Sequence, residues 1–157
     1  YFELPVVIGL ISVLALAVTA GLTVRVMGLT HPVHIALAAA LLVTFPSAAA
    51  IFSSLFPADA YFLALMCNAF AVSCATFYRW GCIPALALMT VACGTYQAFI
   101  CYAIGLFLFD CILLLLDGQP IPRVARRGAG YILLCAGALI LYYIVLNLLL
   151  IVMVNGV

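Results

Sequence analysis

Charge is the scarcest feature of this 157-residue sequence, which contains no lysine, five arginines and four acidic residues. A soluble domain has about a quarter of its residues charged and is about half apolar, whereas 71% of the residues here are apolar. This composition excludes a water-soluble globular fold, and it excludes intrinsic disorder, which needs low hydrophobicity and high charge. The net charge of +1 gives no basic surface for binding nucleic acid. The sequence therefore predicts an integral membrane protein.

Long uncharged runs separate the few charged residues. The mean hydropathy is +1.46, and the runs are too continuous for the alternating pattern of an outer-membrane barrel. We therefore predict an all-α, polytopic membrane helix bundle that forms one transmembrane region. It has about five or six spans of about 20 residues, with a broken helix near residues 93–97. The predicted spans cover residues 5–25, 33–56, 60–78, 83–92 (a short helix), 96–116 and 129–154.

Every arginine stands at the end of a predicted span, and arginine collects in cytoplasmic loops. If the turns that carry Arg25 and Arg79 and the loop Asp117–Arg127 are all cytoplasmic, the chain crosses an even number of times between them. The stretch 82–116 must then leave and return, and its natural break lies at residues 93–97, where glycine loosens the helix. A single long, tilted helix over this stretch is the alternative.

This topology places four polar or aromatic candidates at the external surface. Asp59 begins the third span, where aspartate can cap a helix and faces the positive end of its dipole. It either caps only, or meets the headgroup of a lipid-linked substrate together with Tyr61. Tyr96 and Gln97 lie in the predicted break, where they either form interhelical hydrogen bonds or bind substrate.

Two further features lie inside predicted spans. Asp110 is an intramembrane carboxylate, which is costly to bury and is therefore a functional candidate. The interpretation we favour is that it pairs with an arginine of the following loop. On the first span, Ala17 and Gly21 stand four residues apart and predict a face for close helix packing.

No metal site is predicted. Seven cysteines without a C-x-x-C pair suit neither a zinc site nor a complete disulfide framework. His31 and His34 have no cysteine or carboxylate nearby and fit a solvated turn. The sequence therefore gives no indication of a divalent metal or of another cofactor.

Three segments, in this order, carry a family resemblance: residues 45–52 (FPSAAAIF), 56–65 (FPADAYFLAL) and 94–99 (GTYQAF). They resemble the bacterial type II glucosyltransferase family, multi-pass enzymes of the inner (cytoplasmic) membrane that glucosylate O-antigen of lipopolysaccharide and related surface glycans. The resemblance implies a class C glycosyltransferase fold with its active site on the external face. It implies a glucose donor linked to polyprenyl phosphate, and a surface polysaccharide or lipid-linked glycan as acceptor.

The same resemblance implies that the catalytic acidic residues lie on a large external loop between the family's first two spans. Nothing in this sequence matches that loop, so we expect a piece of a longer protein, cut at both ends. Transfer from a lipid phosphate needs a carboxylate as base and a cation or metal for the departing phosphate. On the predicted external face the sequence offers Glu3 and Asp59, and no basic residue.

Two other functions remain open at this point. A multispan transporter or flippase segment would explain the broken helix and the intramembrane Asp110, since both are common where substrates cross a membrane. A non-catalytic membrane scaffold would use the same polar residues for stability alone.

Overall fold

The computed structural model describes residues 4–44 and 58–154 of the chain. Within these ranges the chain is all-α, without strands, so the predicted all-α membrane helix bundle is confirmed. The described helices are α1 (Leu4–Val26), α2 (Pro32–Thr44), α3 (Ala58–Phe77), α4 (Cys82–Thr95), α5 (Ile100–Leu116) and α6 (Ile121–Val154).

Four described segments are long and apolar enough to cross a membrane, namely Val6–Val26, Ala58–Phe77, Gln97–Leu116 and Ile121–Met153. Helices suit these sequences because, inside lipid, every backbone N–H and C=O group must bond within its own segment. The helices α2 and α4 are shorter apolar helices. Residues 45–56 of the predicted second span lie outside the described residues.

The helix between residues 82 and 116 is broken as predicted. The helix α4 ends at Thr95, and Tyr96 is extended, with φ −156° and ψ 102°. A 3₁₀ turn over Gln97–Phe99 then leads into α5. The Tyr96 N–H still donates to the Ala92 carbonyl at 2.8 Å, so the break begins after this bond. The alternative of one long, tilted helix is wrong.

The predicted loop 117–127 is wrong from residue 121 onwards, because α6 begins at Ile121. The Pro120 carbonyl accepts the N–H of Arg123 at 2.9 Å, and Arg123 Nη1 donates to Gln119 Oε1 at 2.8 Å. Proline suits a helix start because the N–H that it lacks has no partner there. With 34 residues, α6 is about 51 Å long, so it exceeds a hydrocarbon core of about 30 Å.

The central helix of the bundle is α3, which packs against α1 and α4 and also contacts α5. The helix α6 covers α4 and α5, and α2 contacts α1. Val72, Met89, Phe107 and Ala138 contribute buried side chains to the core that α3, α4, α5 and α6 share. Small residues of this core, such as Ala138, let the helix backbones approach each other closely inside a membrane.

The predicted packing face of α1 is wrong. Ala17 is exposed, and a Cβ added at Gly21 would meet no described atom within 4 Å. The helix packs instead through a face that includes Ala15, Thr19 and Ala20, all more than nine-tenths buried. The Thr19 hydroxyl donates to the Ala15 carbonyl at 2.7 Å, so a polar side chain is satisfied on the packed face.

Three arginine-bearing segments meet at one end of the bundle. The Arg25 guanidinium lies 4.8 Å from the ring centroid of Phe77. Arg79 stands two residues after Phe77 in the sequence. Arg127 Nη2 donates to the Thr76 carbonyl at 3.1 Å. We call this the arginine end. The prediction that these arginines share one side of the bundle is confirmed, and the side of the membrane that they face stays a prediction.

Candidate functional site

Three aromatic rings meet where the chain breaks between α4 and α5. Tyr61, near the start of α3, lies edge-on to Tyr96 with ring centroids 4.5 Å apart. The Phe99 ring lies 5.1 Å from Tyr96 and 6.3 Å from Tyr61. We call these residues the aromatic cluster, and the end of the bundle that carries it the tyrosine end. Ring pairs of this kind contribute about 0.5–1.5 kcal/mol beyond their burial, so they hold the break against α3.

The tyrosine end lies opposite the arginine end. Along α3, Tyr61 and Thr76 are separated by about 22 Å, and they mark the two ends. The helix α4 therefore runs from the arginine end to the tyrosine end, and α5 returns, because Asp110 contacts Arg127. The prediction that the third span's start and the break lie at the same end of the bundle is confirmed. That this end is external stays a prediction.

Asp59 lies in the first turn of α3, two residues before Tyr61, and is half-buried. Its Oδ1 accepts the Ala60 N–H at 2.8 Å, which satisfies one of the free N–H groups of a helix start. The carboxylate also faces the positive end of the helix dipole. Within residues 4–44 and 58–154 no other hydrogen bond or ion pair engages it.

Tyr96 and Gln97 are both exposed, Tyr96 by 41%. In the part of the chain that the structure describes, neither side chain forms the interhelical hydrogen bond that the sequence offered as one alternative. Tyr96 contacts its neighbours through its ring. Both side chains are thus presented at the surface of the tyrosine end, and their role in substrate binding stays a prediction.

A cavity of about 520 Å³ adjoins the aromatic cluster, between α1, α2, α3 and α5. Phe99 belongs to the cluster and also lines this cavity. The lining is apolar apart from Thr23 and Tyr102, whose hydroxyl groups hydrogen-bond to each other. The tyrosine end therefore joins a surface of tyrosine and carboxylate groups to an apolar cavity inside the bundle.

Sequence reasoning missed Phe99, Thr23 and Tyr102. Phe99 is one apolar residue among many, and nothing in the sequence shows that it lies between a cluster and a cavity. Thr23 and Tyr102 meet although they stand 79 residues apart. A tyrosine inside a predicted span is the one signal that could have been used, since a buried hydroxyl needs a partner.

Asp110 belongs to a separate polar network at the arginine end. Its Oδ2 lies 3.0 Å from Arg127 Nε and accepts the Tyr131 hydroxyl at 2.7 Å. The predicted pairing with an arginine of the following segment is confirmed. Arg127 also donates to the Thr76 carbonyl, so the network joins α3, α5 and α6. The structure does not bring Asp110 together with the aromatic cluster.

The histidines and cysteines are dispersed. The His31 and His34 rings lie 5.1 Å apart at the start of α2, and both residues are exposed. Among the described residues, no three His, Cys, Asp or Glu side chains form a group that could hold a metal ion. All seven cysteines are free thiols.

Comparison with known proteins gives one match. A family model described as "Glucosyl transferase GtrII" matches residues 1–156. No curated protein and no solved structure matches the chain.

Proposed function

The chain belongs to the GtrII family of glucosyl transferases, and on this premise we propose that it forms the substrate-positioning part of a membrane glucosyltransferase. The donor is glucose linked to polyprenyl phosphate. The acceptor is a surface polysaccharide or lipid-linked glycan, such as the O-antigen of lipopolysaccharide. Transfer takes place on the external face of the bacterial inner membrane, which the chain crosses several times.

The observation that carries this proposal is the continuity of the aromatic cluster with the apolar cavity through Phe99. A lipid-linked sugar needs both surfaces, since its polar head must be oriented by a few polar groups while its chain stays in apolar surroundings. In our proposal Tyr61 and Tyr96 contact the glucosyl ring, and Asp59 and Gln97 hydrogen-bond to its hydroxyl groups. The isoprenoid chain enters the cavity.

The described residues do not supply a complete catalytic site. At the tyrosine end they include one carboxylate, Asp59, and no arginine or histidine, because the described basic residues lie in or beside the helix ends at the arginine end. A departing phosphate needs a cation or a metal. We therefore assign binding and orientation, and no catalytic role, to the described residues of this chain.

Tyr96→Ala is expected to lower kcat/KM for glucosyl transfer by about tenfold, because losing a ring contact of about 1–1.5 kcal/mol raises the barrier by that amount. Tyr61→Ala should act in the same direction. The assay follows transfer of labelled glucose from polyprenyl phosphate in membranes that contain the whole enzyme to which this chain contributes substrate binding.

Tyr143→Ala is the matched control, since Tyr143 is 65% exposed on α6 and, among the described residues, makes no ring contact with the cluster. Tyr96→Phe should retain most of the activity, because the ring contact remains. Equal rates for Tyr96→Ala and Tyr143→Ala would contradict the proposed site.

The external position of the tyrosine end can be tested by thiol labelling. In an otherwise cysteine-free chain, Gln97→Cys should react with an impermeant maleimide added from outside, whereas a retained Cys82 should react from the cytoplasm. Gln97 and Cys82 are both exposed, and they stand at opposite ends of α4 and the break that follows it. Labelling of Gln97→Cys from the cytoplasm would reverse the proposed orientation.

The transporter or flippase alternative receives less support. It requires Asp110 to face a wet cavity, but this residue is 7% exposed and its carboxylate binds Arg127 and Tyr131. The broken helix is compatible with transport and with glucosyl transfer, so it does not distinguish the two functions. Glucosyl transfer is therefore the function that the described geometry supports best.

A further inference from the structure

A second cavity, of about 440 Å³, lies at the arginine end between α1, the end of α3 and the start of α4. Arg25 is the one charged residue in its lining, and Ser73, Tyr78 and Trp80 are its other polar or amphipathic members. The rest of the lining is apolar or small, with Leu22, Phe70, Cys74, Gly81 and Pro84. This cavity is separate from the proposed glucosyl site, which occupies the tyrosine end.

No side chain among the described residues balances the charge of Arg25. Within the described residues the single ion pair joins Arg127 and Asp110, and the Arg25 guanidinium lies over the ring of Phe77. A cation beside a cavity, without a counter-ion, favours an anionic occupant. The Ser73 hydroxyl in the same wall is also without a hydrogen-bond partner, although this residue is only 4% exposed.

The rim of the cavity indicates where its occupant lies. Trp80 is 78% exposed and Tyr78 is 60% exposed, and tryptophan and tyrosine concentrate at the level of lipid headgroups. The walls formed by Leu22, Phe70 and Pro84 continue from this rim along the apolar helices. An occupant that fills the cavity therefore needs an anionic group at the rim and apolar chains below it.

We propose that this cavity binds one anionic phospholipid of the leaflet at the arginine end. Its phosphate is held by Arg25, its glycerol region lies between Tyr78 and Trp80, and its acyl chains pack on the apolar walls. Basic pockets between membrane helices bind lipid headgroups in this way. Free inorganic phosphate fits less well, because it would leave those walls facing water.

The experiment uses Trp80, the only tryptophan of the chain. The full chain is reconstituted in vesicles of phosphatidylcholine that contain phosphatidylglycerol, with bromine carried on one lipid or the other at equal mole fraction. Bromine quenches tryptophan fluorescence at contact. Brominated phosphatidylglycerol is expected to quench Trp80 about threefold to fivefold more effectively than brominated phosphatidylcholine, as one arginine near the surface supplies this preference.

Arg25→Gln should remove the preference, and Arg25→Lys should keep most of it. Arg126→Gln is the matched control, because Arg126 is an exposed arginine at the same end that does not line the cavity. Equal quenching by the two brominated lipids in the unmodified chain would overturn the proposal. It would also be overturned if Arg126→Gln acted like Arg25→Gln, or if inorganic phosphate abolished the preference. Circular dichroism of each variant shows whether its helices are retained.

Discussion

Replacing Arg127 by alanine is expected to lower the free energy of unfolding by about 3 kcal/mol, because removing one partner of a buried ion pair leaves the other unpaired. The Asp110 side chain is 9% exposed, and Arg127 is its only cationic partner among the described residues. Without Arg127 the carboxylate keeps the Tyr131 hydroxyl alone, and α6 loses its bond to the Thr76 carbonyl on α3. Equilibrium unfolding in mixed micelles, followed by circular dichroism, measures this loss.

Asp110→Asn should cost less, about 1 kcal/mol. Arg127 is 35% exposed, so its long side chain can reach water while it keeps its bonds to Tyr131 and Thr76. Arg126→Ala is the matched control and should change the free energy by no more than about 0.5 kcal/mol, since this arginine is exposed. If Arg126→Ala and Arg127→Ala were equally destabilising, the network would not be what holds the three helices together.

Charges and helix-breaking residues carry most of what the sequence reveals about this fold. The arginines at residues 25 and 79 mark helix ends, so the crossing pattern follows from an even count between them. Gly94, Tyr96 and Gln97 interrupt an apolar run, so the break between α4 and α5 could be predicted from the sequence alone. Arg123, Arg126 and Arg127 led to the wrong prediction of a loop up to residue 127. A helix that extends beyond the membrane also contains charged residues, so charge alone did not show where α6 begins.

The packed faces of the helices could not be predicted. These helices are apolar on every side, and the rule that places apolar residues inside does not distinguish a face that meets protein from one that meets lipid. The small pair Ala17 and Gly21 therefore suggested one face of α1, whereas the helix packs through Ala15 and Thr19. In a water-soluble protein the amphipathic stripe would have made that distinction.

The candidate site was predictable only in part. The predicted topology placed Asp59 and Tyr61 at the same end of the bundle as Tyr96. The ring contact between Tyr61 and Tyr96 agrees with this prediction. The cavity beside them depends on which faces of four helices meet, so the sequence could not show that Phe99 and Tyr102 line it.

Gly81→Ala is expected to lower the free energy of unfolding by more than about 3 kcal/mol, because the turn between α3 and α4 has no room for a methyl group. A Cβ at this position would lie 1.8 Å from the Cys74 carbonyl oxygen and 2.4 Å from its carbon. Backbone torsion does not explain this glycine, since φ −66° and ψ −15° suit any residue. The close approach of α3 and α4 explains why a glycine stands here, because both atoms that a Cβ would meet belong to the rigid backbone of α3.

Gly105→Ala is the matched control, because a Cβ on this helical glycine meets no described atom within 4 Å. Alanine there should raise the free energy of unfolding by up to about 1 kcal/mol through helix propensity. The two substitutions add the same methyl group and should therefore act in opposite directions. Gly81→Ala should also separate Tyr96 from Tyr61, because α4 is the helix that carries the break from the turn to the aromatic cluster. Equal stability of the two variants would mean that the α3–α4 turn can open without disturbing the bundle.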